Sequence, residues 1–194
     1  MKQVIQIRCK NNKKSQKVEI GSTLFDIFSA FDLKMTHGPV SARVNNKVEG
    51  MHYRVYNSKD VEFLDMTSSS GSRAYTRTLF FVLCKAVQDI YPATDVVIDI
   101  PVSNGFYVDI RLGRPVVDED VNIIRRRMQE IIDARMPIRR FTVPTEEAVA
   151  LFQEKGDVEK VKLLKTSGSI YTTYYKIGDY VDYKNPTSGT VEVK

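Results

Sequence analysis

Few residues in this chain could do chemistry, and they are unevenly placed. The only histidines among its 194 residues are His37 and His52, and the only cysteines are Cys9 and Cys84. Zinc hydrolases and Cys–His nucleophiles need histidine close to further ligands or bases. The long stretch after His52 therefore lacks the commonest general base and the commonest metal ligand. Neither GxxxxGK[ST] nor GxGxxG occurs, so the chain carries no P-loop and no dinucleotide fingerprint. Asp99, Asp109, Asp118 and Asp120 are acidic, but nothing beyond their presence supports a glycosidase-type acid pair.

Two further groups admit two readings each. Arg125, Arg126 and Arg127, with Arg135, Arg139 and Arg140 nearby, form the strongest basic cluster. Such a cluster can contact a phosphate backbone, or it can be the solvated face of an amphipathic helix. The tyrosines at 171, 174, 175, 180 and 183 could stack on bases, or they could pack a sheet, where tyrosine is at home.

Composition sets the frame. The chain is 42% hydrophobic and 27% charged, with a net charge of +5, which is ordinary for a folded domain. The mild positive charge permits an RNA or nucleotide partner without requiring one. Two unpaired-looking cysteines argue for reduced thiols in a cytoplasmic protein. The N-terminus has no apolar core of the signal-peptide type, and no stretch reaches the length of a membrane span.

The elements that must position these residues fall on either side of Thr67-Ser-Ser-Ser-Gly-Ser72, which reads as a linker. Before it, Val4–Arg8 and Lys17–Ile20 alternate like the two strands of a hairpin. Ser22 reads as a helix N-cap, and Leu24, Ile27, Phe28 and Phe31 follow at helical spacing. Short strands are expected at Val40–Val44 and Val61–Leu64. This order matches a β-grasp layout. After the linker, Leu79, Val82, Leu83, Ala86, Val87 and Ile90 line a helix that Pro92 ends. Strands at Val96–Ile100 and Phe106–Ile110 flank a Ser103-Asn-Gly105 turn. Asp118–Met136 forms a second helix with an acidic first turn, an apolar stripe of Val121, Ile124, Met128 and Ile131, and Pro137 as its stop. A third helix begins at Pro144 with Thr145 as cap, and the chain is strand-like past Gly168. The fold class is α+β.

These segments resemble known modules. Residues 1–66 resemble a TGS domain, the β-grasp module at the front of threonyl-tRNA synthetases. Residues 73–194 are similar to the second domain of those enzymes, shared with alanyl-tRNA synthetase. The resemblance rests on Ala86-Val-Gln-Asp-Ile-Tyr-Pro92, Pro101-Val-Ser-Asn-Gly-Phe-Tyr-Val-Asp109, the run Asp118–Met128 and Asp179-Tyr-Val-Asp182. It implies a domain that removes wrongly attached serine from tRNA with an HxxxH pair, a late Cys and a late His. Counting back from Tyr91-Pro92 puts Arg77 and Phe81 at the HxxxH positions, and the late pair falls near Lys184 and Ser188. Neither Arg nor Phe can ligate zinc, so the resemblance implies lost editing chemistry, no metal and no cofactor in this chain. Val108 stands where the family has a pocket tyrosine. Lys160 and Asp182 match other pocket residues.

The same pair of modules also resembles the front of bacterial uridine kinase-like proteins, whose P-loop kinase would be covalently linked beyond residue 194. That resemblance implies a non-catalytic regulatory or RNA- or nucleotide-binding region. The alternatives are an editing fragment of threonyl-tRNA synthetase type and a free-standing tRNA-binding adaptor.

Overall fold

Alternation of apolar and polar residues sends Ile7 and Cys9 of the first strand to one face, and both are fully buried. The computed structural model that places them describes residues 3–92, 94–103 and 105–183, apart from the side chains of 99 and 100. These residues form two compact units, one reaching Met136 and the other starting at Pro137. The protein is a mixed α/β chain with several sheets.

The first unit begins with β1 (Val4–Cys9), β2 (Ser15–Glu19), α1 (Leu24–Ala30), β3 (Ser41–Val44), β4 (Lys47–Glu49) and β5 (Lys59–Leu64). Their sheet has the order β2-β1-β5-β3-β4, with β1 and β5 parallel and the other pairs antiparallel. Leu24, Ile27 and Phe31 on and beside α1 join Ile7, Val61 and Phe63 of the sheet in one core. The cap of α1 is Thr23 rather than the expected Ser22. Thr23 Oγ1 accepts the Asp26 N–H at 3.2 Å, while the Thr23 N–H donates to Asp26 Oδ2 at 2.9 Å. A carboxylate three residues on favours Thr23, and the Ser22 hydroxyl instead donates to the Glu19 carbonyl at 2.7 Å.

The expected linker is folded. Helix α2 (Ser69–Ile90) starts inside it. Ser68 Oγ accepts the Gly71 N–H at 3.1 Å and donates to the Asp65 carbonyl at 2.9 Å. A β-carbon on Gly71 would lie 1.8 Å from that carbonyl oxygen, so only glycine fits there. Five Ser or Gly residues in a row read as flexible, but serine also caps helices. Ala74 of α2 packs on Val40 beside β3.

Helix α2 is buried around more of its circumference than one stripe. Phe81, Cys84 and Lys85 are buried along with Val82, Ala86 and Val87, whereas Leu79 is exposed. Beyond it, β6 (Val96–Val102) and β7 (Gly105–Ile110) pair antiparallel, with a register shift between Ile98 and Pro101. The Phe80 and Phe106 rings meet edge-on at 4.8 Å. Asn104 of the expected turn lies outside the described residues. Helix α3 (Asp118–Asp133) packs on α2 and stops short of Met136. Arg135 adopts φ 49°, a left-handed conformation that ends the helix before Pro137 can. Ile124 and Ile131 are buried, but Val121 is exposed.

The second unit contains β8 (Arg139–Pro144), α4 (Thr145–Glu154), α5 (Val158–Thr166), β9 (Tyr171–Ile177) and β10 (Tyr180–Asp182), with the sheet order β10-β9-β8. Ala148, Val149, Phe152, Leu164 and Val181 form its core. Thr145 is the first helical residue and not the cap. Its hydroxyl donates to the Ser169 carbonyl at 2.6 Å and ties α4 to the start of β9. Strand β4, strand β8 and helix α5 have no counterpart in the sequence reading. In α5 only Leu164 is fully buried, so its apolar periodicity is weak.

Candidate functional site

Arg77 and Phe81 lie one turn apart on the same side of α2, as i and i+4 residues must. Phe81 is 5% exposed and Arg77 is half-buried. The metal that the family resemblance implies would need nitrogen or thiolate ligands at these places, and neither side chain supplies them. Among the described residues no group of three or more His, Cys, Asp or Glu side chains is placed to hold a metal. The residues present do not fit the metal. Lys184 and Ser188 lie outside the described residues. Cys9 and Cys84 are buried and are not joined in a disulfide, and the His52 ring packs edge-on against Phe25 at 5.1 Å.

The second unit brings Lys160 and Asp182 together. Lys160 Nζ lies 3.1 Å from Asp182 Oδ1 and 2.7 Å from Asp157 Oδ2. It also sits 5.6 Å above the Phe152 ring, within cation–π range. Asp157 caps α5 by accepting the Lys160 N–H at 3.0 Å, which sets Lys160 one turn into the helix. The β9–β10 hairpin, turned at Gly178 with φ 58°, carries Asp182 to it. Burial pulls the Lys160 ammonium down, but Asp182 and Asp157 outweigh burial and hold it above the usual lysine value. Asp157 escaped the sequence reading. An Asp three residues before Lys160, at the start of a weak helical pattern, was the signal that could have found it.

The residues of the basic cluster fall on different elements and play different parts. Arg125 and Arg126 are exposed on α3. Arg127 is held by Asp89 of α2 at 2.9 Å and by Glu130 at 2.8 Å. These bonds, with Glu130 and Asp89 as the leading causes, raise its already high pKa. Asp89 also pairs with the buried Lys85. Arg127 is therefore a clamp between α2 and α3, and not a side chain spread toward solvent. Arg139 and Arg140 are exposed on β8 of the other unit.

The Asp99 side chain lies outside those described, and among the described acidic residues Asp109 and Asp120 are each taken up by an arginine. Asp109 is bridged by Arg111 at 3.2 Å. Asp120 is buried and accepts from Arg114 Nη1 at 2.6 Å and Nη2 at 2.7 Å, from the Tyr91 hydroxyl at 2.6 Å and from the Val117 N–H at 3.0 Å. Arg114, then Tyr91 and Val117, hold its carboxyl far below the usual carboxylate range. Among the tyrosines, Tyr174 stacks on Phe141 at 5.3 Å and meets Phe152 edge-on at 6.4 Å, which is sheet packing. Tyr171 is exposed. Val108 is half-buried on β7.

A mixed α/β fold of several sheets, with an ion-paired Lys160–Asp182 in its second unit, accompanies homology to threonyl-tRNA synthetases over 92% of the chain. No family model matches. The threonine–tRNA ligase of Clostridium kluyveri is 30% identical over 181 residues, which is 92% of this chain and 28% of that protein. That of Acetivibrio thermocellus is 29% identical over 163 residues, 84% of this chain and 26% of that protein. That of Clostridioides difficile is 28% identical over 168 residues, 86% of this chain and 26% of that protein. The chain thus spans roughly a quarter of the length of these relatives. They lend no support to a nucleoside-kinase context. No helix among the described residues is long and apolar enough to cross a membrane.

Proposed function

We propose that this chain is a threonyl-tRNA synthetase-like region that binds tRNA and does not perform metal-dependent editing. The single observation that carries the reading is similarity to threonine–tRNA ligases along 92% of the chain, in a sequence with no histidine after His52. In this reading residues 1–66 are a TGS-type β-grasp module. The sheet order β2-β1-β5-β3-β4, with its parallel β1–β5 pair and α1 packed on one face, supports that assignment. Residues 73–194 are the unarmed editing-like module. Arg77, Phe81, Lys184 and Ser188 replace its metal and editing residues. Lys160 and Asp182 persist from its pocket, with each other and Asp157 as partners. The exposed Arg125, Arg126, Arg139 and Arg140 are the candidate phosphate contacts.

The test has two readouts. Filter binding of tRNA at low and moderate salt should show binding that weakens steeply with salt, as counterion release requires. Incubation with Ser-tRNA(Thr) should leave the ester intact. Absence of binding even at low salt overturns the RNA-binding half, and rapid release of serine overturns the other.

A further inference from the structure

The β4 end of the first unit's sheet carries a cleft that nothing described above uses. It has a volume of about 470 Å³ and lies between the β3–β4 hairpin, the start of β5 and Tyr53. That is within the size range of small-molecule sites. Its walls are held by the backbone. The hairpin turns at Asn45, whose φ of 53° is left-handed. The Asn45 amide oxygen accepts the Asp60 N–H at 3.2 Å, and the Asn45 N–H donates to the Asp60 carbonyl at 2.7 Å. Those two bonds fix the turn against β5. On the other side, the Tyr53 N–H donates to the Gly50 carbonyl at 2.9 Å, and the Tyr53 carbonyl accepts the Leu24 N–H at 3.1 Å. The strand register sets Glu49 opposite Ala42 and Lys47 opposite Val44, so both charged residues share the core face of the hairpin. The Glu49 side chain is 7% exposed, while that of Lys47 is 76% exposed and reaches to 2.9 Å from Glu49 Oε1. Half-buried Lys59 lines the cleft from β5.

These groups ask for a small ligand with charge of both signs. Two lysine ammonium groups suit an anionic end and oppose a bare cation. The Glu49 carboxylate accepts from an ammonium and opposes a bare anion, the more so because it is buried. Val44 and the partly exposed Tyr53 ring add apolar surface that a simple ion leaves unused. Exposed Asn46 adds a carboxamide donor. We infer that the cleft beside the β3–β4 hairpin binds a free α-amino acid. Glu49 takes the ammonium, Lys59 and the Asn46 amide take the carboxylate, and the Tyr53 ring carries the side chain. The ligand joins the hairpin to the segment that packs on α1, so its binding stabilises the first unit. The inference stands apart from tRNA binding through the arginines, because it uses none of them.

The experiment titrates the full chain with glycine, threonine, leucine and phenylalanine, followed by calorimetry, amide NMR shifts and the thermal midpoint. The tightest binder is then compared with the amine and the carboxylic acid that each lack one of its charges; for phenylalanine these are phenethylamine and phenylpropionate. Saturable binding of at least one amino acid is expected, with shifts at Asn46, Lys47 and Tyr53 and a midpoint that rises with ligand concentration. Each one-charge analogue should bind about tenfold more weakly or worse, since it forfeits a charge-assisted hydrogen bond. Lys59→Gln and Glu49→Gln should each cost about the same factor for the same reason. Tyr53→Ala, on an exposed side chain, should also weaken binding, and it keeps the test open if Glu49→Gln folds poorly. Lys34→Glu, outside the cleft, should change little. The inference is overturned if no amino acid binds at millimolar concentration, if either one-charge analogue binds as tightly as its amino acid, or if Lys59→Gln and Tyr53→Ala bind as the parent does.

Discussion

Lys160→Met removes one charge from the Lys160–Asp157–Asp182 cluster and keeps an unbranched chain over Phe152. The Asp182 side chain is 7% exposed, so the variant takes the Lys160 ammonium away from a buried carboxylate. Breaking a fully buried pair from one side costs ~3–5 kcal/mol. The Lys160 side chain is 29% exposed, so part of that is lost to solvent screening, and the loss expected is about 2–3 kcal/mol. Urea denaturation followed by circular dichroism would read it as a fall in midpoint of about 1 M, at slopes near 2 kcal/mol/M. Hydrogen exchange should confine the loss to the second unit. Lys160→Met/Asp182→Leu should recover most of the stability, because both charges of the pair are then replaced by apolar groups. The contribution of the Lys160 charge is present in the parent at neutral pH and up to the ordinary lysine pKa of about 10.4, and is lost as pH rises through the raised value. A single variant within about 0.5 kcal/mol of the parent, the size of an ordinary surface change, or a double-mutant cycle with no coupling, would refute the assignment of the cluster as an ion pair that ties α5 to β10.

Three further outcomes follow from the same geometry. Gly71→Ala should destabilise by at least about 1 kcal/mol although helix propensity alone favours Ala by about that much, because the new β-carbon meets the Asp65 carbonyl; a rise in thermal midpoint would show the junction to be loose. Asp120→Asn should lower the midpoint at neutral pH, and the gap to the parent should close as pH falls below about 4, since a depressed carboxyl contributes stability above its unfolded pKa and loses it in acid; a gap that stays constant with pH would point to shape rather than charge. Arg125→Glu/Arg126→Glu should fold normally and weaken tRNA binding with a smaller salt slope, whereas Arg127→Ala should lower the thermal midpoint by freeing Asp89 and Glu130; the reverse pattern would reassign the clamp.

Much of this protein is determined within short windows of sequence. The hairpin of β1 and β2, the helical stripes of α1 and α3, and the proline after α2 are local patterns, because backbone periodicity and φ restriction act over a few residues. That no histidine follows His52 needs no fold at all, and neither does the inability of the Arg77 and Phe81 side chains to ligate zinc. Other features had to wait for distant contacts. Thr67–Ser72 has the composition of a linker, and only the Asp65 carbonyl packed against Gly71 makes it a helix start. Arg127 matches Arg125 and Arg126 in type, and only Asp89 on another helix takes it out of the basic surface. Lys160 and Asp182 become a pair when a cap on α5 and a turn at Gly178 bring them within 3.1 Å. Charge pairing and close packing depend on which surfaces meet, and that is decided by the tertiary fold and not by any local window.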